Sequence, residues 1–447
     1  MIKIYDTMTR SLRDFVPLTE NVVNMYVCGP TVYNYIHIGN ARSAVAFDTI
    51  RRYFEYCGYT VNYISNFTDV DDKIIKAANE AGISTKELSD KFIAAFMEDT
   101  AQLGIKPATQ NPRVINYMDE IIAFVSTLVD KGFAYVSEGD VYFRVAKSNN
   151  YAKLANKTLE DLEIGASGRT DAETARKENP LDFALWKAAK EGEVSWESPW
   201  GPGRPGWHIE CSVMATEILG DTIDIHGGGA DLEFPHHTNE IAQSEAKTGK
   251  TFANYWMHNG FVNVDNEKMS KSLGNFVTVH DMLQTVDGQV LRFFLATQQY
   301  RKPINFTEKA IHDAEVNLKY LKNTHSLPLT DQVNQAELQT YLDAFQEAMD
   351  DDFNTANGVT VLFDMAKWIN SGNYDQTVKD AFEKMLQVFG IVFEEEVLDE
   401  YIEKLIEERQ AARANKDFAT ADRIRDELAA QGIKLLDTKE GVRWTRD

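Results

Sequence analysis

The sequence predicts an α/β protein built on a doubly wound parallel sheet, and three segments near its start carry this prediction. Residues 24–28 form a short apolar run typical of a buried strand. Residues 41–56 place apolar side chains on one helical face, and residues 60–64 alternate as a second strand does. A strand, a helix and a second strand in this order indicate the start of a parallel sheet.

Two further strands are predicted in the second half of the chain, at residues 223–226 and 255–258. Ligands of doubly wound sheets bind beyond the carboxyl ends of the strands. Cys28, His226 and His258 each end a predicted strand. We therefore expect these three side chains to face one crevice.

The chain is too long for a single hydrophobic core, and its residue composition and apolar spacing change along its length. A stretch rich in proline, glycine and tryptophan separates the two halves of the sheet, and beyond residue 291 apolar residues recur at helical spacing. The predicted divisions are a first half of the sheet domain at 1–114, an insertion at 115–204, a second half at 205–290, a helical bundle at 291–400 and a small C-terminal unit at 401–447.

Composition is that of a folded protein, with 43% hydrophobic and 26% charged residues. No stretch approaches the ~18 apolar residues of a membrane span, and the first residues do not resemble a signal peptide. A cytoplasmic protein without a membrane partner is therefore expected. Its three cysteines are too few for a disulfide framework, so Cys28, Cys57 and Cys211 are expected to be thiols, with Cys57 in the core.

The net charge of −23 by itself disfavours a polyanion as partner. The charge is unevenly distributed, however. Residues 331–400 hold 3 lysines and arginines against 16 aspartates and glutamates, whereas residues 401–447 hold 10 of each kind. A nucleic acid, if one binds, is expected at the C-terminal unit and at local basic spots.

Three short strings imitate well-known motifs but lack their context. The glycines of residues 201–206 are spaced as in a dinucleotide loop, yet two prolines interrupt them and no strand is predicted before them. Residues 249–251 end like a phosphate loop that lacks its upstream glycine. Residues 226–229 resemble an esterase oxyanion loop in a chain with no G-x-S-x-G sequence. Dehydrogenase, P-loop ATPase and α/β-hydrolase functions are thereby disfavoured.

Residues 30–40, PTVYNYIHIGN, lie between the first predicted strand and its helix. Backbone N–H groups and the helix dipole favour a phosphate at such a position. His37 can donate a hydrogen bond to a phosphate or ribose oxygen, and Gly39 permits close approach of a nucleotide. Taken alone, a His-x-Gly at a helix start is more often structural.

A second candidate for phosphate binding is the run KMSKS at residues 268–272. Lys268 and Lys271, with Ser270 between them, suit a mobile loop that neutralises the charge of a triphosphate. A solvated basic turn would have the same composition.

Together, the two segments resemble the HIGH and KMSKS signatures of class I aminoacyl-tRNA synthetases. The resemblance covers nearly the whole chain and implies a Rossmann-like doubly wound sheet with a connective insertion, an α-helical bundle and a small C-terminal domain. It implies catalytic roles for His37, Asn40, Lys268 and Lys271. It also implies binding of ATP, with Mg²⁺, by these four residues together with Gly39 and Ser270. Asn40 stands where the family has a histidine. An asparagine can form hydrogen bonds but cannot be cationic, so a charged role at this position is doubtful.

Cys28, Cys211, His236 and Glu240 form a candidate metal site. A helix predicted at residues 235–247, opened by its proline, places His236 and Glu240 one turn apart on one face. Two thiolates, an imidazole and a carboxylate are ligands that Zn²⁺ accepts, but the cysteines would have to reach them through the fold. From chemistry alone, both thiols could equally be small apolar core residues.

The order of these residues resembles that of cysteinyl-tRNA synthetases, in which the four matching positions bind one zinc ion that also takes the substrate thiolate. A hydroxyl is a far poorer ligand, so such a site needs no separate editing domain. The resemblance implies a cysteine pocket formed by Thr68, Trp207, Asp231 and His236, with Asp231 as partner of the α-amino group. Core packing is the alternative for Trp207.

The resemblance implies activation of L-cysteine with ATP and its transfer to tRNA(Cys), and we expect a monomer. The tail offers guanidinium groups and an aromatic ring to single-stranded bases, and the expected anticodon contacts are Arg423, Arg425, Trp444 and Arg446. Two alternatives remain open. One is a related ligase that joins cysteine to an amino sugar in mycothiol synthesis and lacks an anticodon-binding domain. The other is an inactive relative that only binds tRNA.

Overall fold

The computed structural model describes residues 1–166, 174–270, 272–394, 400–439 and 441–446. Its strands are β1 Lys3–Asp6, β2 Ser11–Asp14, β3 Val22–Val27, β4 Thr60–Ser65, β5 Ala134–Ser137, β6 Asp140–Phe143, β7 Phe183–Ala188, β8 Gly203–Pro205, β9 Ile223–Gly229, β10 Ala253–Asn259, β11 Val262–Val264, β12 Glu267–Lys268, β13 Ile304–Phe306, β14 Ile433–Thr438 and β15 Gly441–Arg446. Its α-helices are α1 Ile38–Tyr56, α2 Asp72–Ala81, α3 Thr85–Gln102, α4 Met118–Asp130, α5 Leu159–Ala166, α6 Trp207–Leu219, α7 Thr238–Thr248, α8 Val279–Met282, α9 Gly288–Ala296, α10 Glu308–His325, α11 Gln335–Asp350, α12 Thr355–Asn370, α13 Gln376–Val388, α14 Glu400–Ala414 and α15 Phe418–Ala430. Among these described helices, none is both long and apolar enough to cross a membrane.

Four parallel strands form the central sheet, in the order β10-β9-β3-β4. The chain passes from β3 through α1 to β4 on one side, and its second half adds β9 and β10 on the other side. The direction of strand addition therefore reverses between β3 and β9, which is where doubly wound sheets bind ligands. The predicted fold class is confirmed, and all four predicted strands belong to this sheet.

The turn from β3 into α1 is built by local contacts. An added Cβ at Gly29 would lie 1.7 Å from the backbone oxygen of Asn66, so only glycine fits where the chain leaves the strand. Helix α1 begins at Ile38, three residues before its predicted start. It does so because the side chains of His37 and Asn40 each accept a hydrogen bond from the other's backbone N–H, both at 3.2 Å.

Cys57, which we expected in the core, is exposed. It is the C-cap residue of α1, one position beyond the last helical turn. Tyr53 and Phe54 from that turn are buried instead. The prediction was wrong because a residue that follows the helix end leaves the core with the chain.

The insertion forms its own antiparallel sheet, in the order β5-β6-β7-β8. Helices α10 to α13 follow the sheet domain, and their apolar stripes are buried, as the helical spacing predicted. The buried members of these stripes are Ala314, Leu318, Leu321, Leu362, Met365 and Ile369.

The chain divides into two compact units, Met1–Val392 and Phe393–Asp447. In its described residues, the second unit consists of α14, α15 and the hairpin β14–β15. Its core is formed by Ile402, Leu405, Ile424, Leu428 and Ile433.

Candidate active site

A cleft of about 730 Å³ opens at the carboxyl edge of the central sheet. Both signature segments line it, with His37, Gly39 and Asn40 from the start of α1 and Lys268 and Ser270 from the KMSKS run. A cleft of this size is in the usual range for a small-molecule site. The fold therefore brings the two phosphate-binding candidates into one cavity.

The glycine of the first segment has a steric role beside His37. A Cβ at Gly39 would lie 2.9 Å from the imidazole ring of His37, so a larger residue would displace that ring. The ring also lies edge-on to Phe276, with centroids 5.4 Å apart. Asn40 holds the backbone of His37 through the paired cap of α1, which a neutral carboxamide can do without a positive charge.

The KMSKS run is held together by Asn275. Its side-chain oxygen accepts a hydrogen bond from the backbone N–H of Ser270 at 2.9 Å, and its amide donates to the backbone oxygen of Lys268 at 3.2 Å. Lys268 is exposed at the end of β12. Lys271 lies outside the described residues.

The four predicted metal ligands converge beside this cleft. The Sγ atoms of Cys28 and Cys211 are 3.7 Å apart, and Cys28 Sγ is 3.6 Å from Glu240 Oε1. One donor atom from each of Cys28, Cys211, His236 and Glu240 lies within 4.8 Å of the other three. Two sulfur ligands at tetrahedral angles and metal–sulfur bonds of ~2.3 Å are about 3.7 Å apart. The cluster therefore has the spacing of a four-coordinate metal site.

His208 orients the imidazole of this cluster, a role that the sequence did not suggest. The Nδ1 atoms of His208 and His236 are 3.0 Å apart, and burial lowers the pKa of His208 well below its usual value. His236 Nε2 makes no hydrogen bond within the described part of the chain, although it lies 3.0 Å from Glu240 Oε1. The nitrogen that faces the cluster is therefore available to a cation.

The electrostatics of the cluster favour negative charge on two of its members. Burial opposes ionisation of Glu240, but the neighbouring His226 and His236 lower the pKa of its carboxyl group well below the usual value. Burial also opposes ionisation of Cys211, and a hydrogen bond from Cys28 nevertheless lowers its pKa. Burial raises the pKa of Cys28, which is the donor in this pair. Burial opposes protonation of His236, but Glu240 and Cys211 raise its pKa to about 10, so a cation that binds here would take the place of that proton.

Further histidines lie behind the cluster. His226 Nε2 is 2.5 Å from Glu240 Oε2, and His237 Nε2 is 3.3 Å from Cys28 Sγ. His226 and His237 thus form, with Cys28 and Glu240, a second group of donors that overlaps the first. His258 Nε2 lies 2.8 Å from His237 Nδ1.

The prediction that Cys28, His226 and His258 face one crevice is therefore only partly correct. Cys28 lines the open cleft, but His226 and His258 are buried behind it. Strand β9 continues for three residues beyond His226, to Gly229, so His226 does not end its strand. The sequence offered no signal for His237 beyond its place next to His236.

The helix that carries His236 and Glu240 begins later than predicted. Helix α7 starts at Thr238. The chain before it is kinked, because Phe234 has an extended backbone and the peptide bond between Phe234 and Pro235 is cis. Pro235 therefore does not open the α-helix. His236 and Glu240 still meet, because the kink lies before His236, and His237 and Thr238 already have right-handed helical backbone angles.

The residues expected to bind cysteine differ in their exposure and in whether they line the cleft. Trp207 is 41% exposed and stacks on His236, with ring centroids 4.1 Å apart, so its core-packing alternative is wrong. Asp231 lines the cleft. Thr68 is buried, and its hydroxyl accepts a hydrogen bond from Asn66.

The predicted tRNA contacts lie in the second unit. Arg423 and Arg425 are exposed on α15 and contact acidic side chains of the same helix. Trp444 packs against the core of this unit, so only part of its ring is available for stacking. Arg446 ends β15.

Comparison with known proteins agrees with this geometry. Residues 14–316 match the model of the tRNA synthetases class I (C) catalytic domain, residues 344–394 the DALR domain, and residues 395–444 the cysteinyl-tRNA ligase anticodon binding domain. The cysteine–tRNA ligases of Streptococcus thermophilus (strain CNRZ 1066) and Streptococcus pyogenes serotype M6 are 95% and 83% identical over 447 residues, which is the full length of each chain.

Among solved structures, methionyl-tRNA synthetase of Mycobacterium tuberculosis in complex with methionyl-adenylate shares the fold. Its TM-score is 0.60 at 16% identity, over 82% of this chain and 89% of that one. The full-length identity and the matched catalytic and anticodon-binding models lead to one conclusion. The chain belongs to the cysteine–tRNA ligase family of class I aminoacyl-tRNA synthetases.

Proposed function

We propose that this chain attaches L-cysteine to tRNA(Cys) at the expense of ATP. The observation that carries the proposal is the four-donor cluster beside a cleft lined by both nucleotide-binding segments. Membership of the cysteine–tRNA ligase family supports it.

Cys28, Cys211, His236 and Glu240 would hold Zn²⁺, because two sulfurs, a nitrogen and a carboxylate oxygen at these separations suit its tetrahedral preference. When bound, the ion supplies a soft Lewis acid that prefers the thiolate of cysteine to the hydroxyl of serine. Trp207 would cover the substrate on the cleft side. The carboxylate of Asp231 would hold its α-amino group.

The reaction needs no covalent enzyme intermediate. The carboxylate of cysteine attacks the α-phosphate of ATP, which gives cysteinyl-adenylate and releases pyrophosphate. The 3′-terminal adenosine of tRNA then takes the acyl group and releases AMP. His37 donates a hydrogen bond to the phosphates at the start of α1, and Lys268 and Lys271 neutralise charge that develops there, with Mg²⁺ on ATP. Positioning and electrostatics supply the rate.

The anticodon-binding match at residues 395–444 favours tRNA as acceptor over the amino sugar of the related ligase. We propose Arg423, Arg425, Trp444 and Arg446 as its contacts. The proposal includes a cytoplasmic monomer with the domain divisions given above, namely 1–114, 115–204, 205–290, 291–400 and 401–447.

Two assays test the function. We expect ATP–pyrophosphate exchange that depends on cysteine, and charging of a transcript with the cysteine anticodon but not of an unrelated one. If the protein catalyses cysteine-dependent ATP–pyrophosphate exchange but charges neither transcript, an amino sugar is favoured as the acceptor. Loss of both activities in a protein that still binds the transcript would indicate the inactive relative.

The lysine assignment has its own test. Lys271→Ala should lower the exchange rate at saturating ATP by at least about tenfold, because the charge it supplies acts on the transition state. Lys250→Ala is the matched control, since Lys250 is an exposed lysine paired with Asp221 at 3.1 Å and does not line the cleft. Equal rates in the two variants would remove Lys271 from the mechanism.

A further inference from the structure

The two signature segments are joined by backbone hydrogen bonds. Ile38 donates to the oxygen of Val277 at 3.1 Å, and Val279 donates to the oxygen of Ile36 at 2.9 Å. His37 and Thr278 lie opposite each other in this short antiparallel bridge. The chain that leaves the KMSKS loop is therefore attached at the start of α1.

His280 follows this bridge directly and contacts two other elements. Its ring stacks on Tyr35, with centroids 4.1 Å apart and ring planes 12° from parallel. Its Nδ1 atom lies 3.2 Å from Asp99 Oδ1, and Asp99 is a buried residue of α3. Tyr35 in turn lies edge-on to Phe92 of the same helix. One imidazole thus links the end of the loop, the first nucleotide segment and α3.

The other end of the loop is also anchored. Strand β11 ends at Val264 and pairs with β13 on one side and β12 on the other. Residues 269–276 therefore lie between two attachment points. The first is β12, and the second consists of the backbone bridge and His280. A loop with one loosened end has more conformations to lose when it orders over a ligand.

We propose that His280 is a positioning residue for the KMSKS loop, acting through its contacts with Asp99 and Tyr35. The inference rests on the proposed function, because the loop is taken to act on the phosphates of ATP. His280 does not line the cleft, but Tyr35 does, so His280 acts on the nucleotide site through the loop and through Tyr35. Its contacts, Tyr35 and Asp99, belong neither to the metal cluster nor to the predicted cysteine pocket, so we expect its removal to affect the ATP step.

The kinetic test compares His280→Ala, His280→Arg and the control His312→Ala, which removes an exposed histidine from α10. In His280→Ala we expect kcat for cysteine-dependent exchange to fall about tenfold and KM for ATP to rise, with KM for cysteine and zinc content unchanged. His280→Arg should restore kcat to within about twofold, because a guanidinium can stack on Tyr35 and pair with Asp99. His312→Ala should match the wild type.

Two results would overturn the inference. One is a His280→Ala variant with wild-type kinetics. The other is a parallel loss of kcat, cysteine affinity and zinc together with a lower melting temperature, which would indicate a purely structural role.

Hydrogen exchange separates this inference from the proposed function. The backbone N–H of Val279 should exchange faster in His280→Ala than in the wild type and His280→Arg proteins. A wild-type protein with no cysteine-dependent ATP–pyrophosphate exchange would refute the proposed function. The role of His280 in holding the loop would then be tested by the hydrogen exchange of Val279 alone. Unchanged protection of Val279 in His280→Ala would refute the anchor even in an active enzyme.

Discussion

The guanidinium Nη1 of Arg292 lies 2.6 Å from the carboxylate of Asp48, and both side chains are buried. Asp48 belongs to α1 and Arg292 to α9, and Arg52 approaches the same carboxylate oxygen at 2.8 Å. Arg292 also donates a hydrogen bond to the backbone oxygen of Phe389, just beyond α13. The pair therefore ties the helix that begins at the nucleotide segment to the helical bundle.

Replacing Asp48 by Asn should lower the free energy of unfolding by ~3–5 kcal/mol, because it leaves the buried Arg292 without its counter-charge. Urea unfolding of the wild type and the variant measures the difference. Asp313→Asn breaks an exposed pair with Lys309 at 2.6 Å and should cost much less. Equal losses in the two variants would show that the buried pair contributes no more than a surface pair.

The same pair predicts a dependence on pH. Burial would raise the pKa of Asp48, but Arg292 and Arg52 hold it below its usual value. A lowered folded-state pKa stabilises the fold above the unfolded-state value, near pH 4, and this contribution is lost as the pH falls through the folded-state pKa. The stability difference between wild type and Asp48→Asn should therefore be constant near neutrality and shrink below about pH 4. A difference that grows on acidification would contradict the assignment.

Cys211→Ser tests the metal cluster. The variant should lose its zinc, and its KM for cysteine should rise at least about tenfold, because a hydroxyl is a poor ligand. Metal analysis of the purified protein and exchange kinetics measure the two effects. Cys57→Ser is the matched control, since Cys57 is an exposed thiol away from the cluster. Loss of metal with unchanged preference for cysteine over serine would leave the cluster a structural role only.

Local pattern was sufficient to predict the sheet and the meeting of His236 with Glu240, but not the whole cluster. The strand that precedes Cys28 and the one-turn spacing of His236 and Glu240 are properties of short segments, and periodicity reports them directly. The approach of Cys211 to Cys28 depends on the whole fold, and only the family resemblance suggested it.

Other features had no local signal. His208, His237 and Asp48 act through partners distant in sequence, and nothing in their own segments distinguishes them from ordinary buried or helical residues. The exposure of Cys57 depends on where α1 ends. Helix boundaries are set by capping side chains. The periodicity of apolar residues carries no information about the hydrogen bonds of these caps.

Trp207 provides a test of the cysteine pocket. Trp207→Ala should raise the KM for cysteine about tenfold and leave the KM for ATP unchanged, because the exposed indole stacks on His236 beside the metal donors. Trp207→Phe keeps a stacking ring and should retain most of the affinity. Exchange kinetics with each substrate varied in turn measure both constants. Equal effects on the two substrates would indicate a general disturbance of the cleft.

Asn40 provides a test of the cap at the start of α1. Asn40→Ala removes the side-chain acceptor for the backbone N–H of His37 and should lower the free energy of unfolding by ~1 kcal/mol. It should also lower the rate of cysteine-dependent exchange about tenfold, because the backbone that carries His37 is then less well fixed beside the phosphates.

Asn334→Ala is the matched control for Asn40→Ala, since Asn334 caps α11 through a hydrogen bond from Ala336 at 2.9 Å and does not line the cleft. It should lose a similar amount of stability with no change in the exchange rate. If both variants lose stability but neither loses activity, the asparagine at this position is a helix cap and nothing more. A loss of rate in Asn40→Ala alone would show that Asn40 acts in the reaction, through the cap that holds His37 or through its own contact with the nucleotide, and that a neutral side chain suffices for this role.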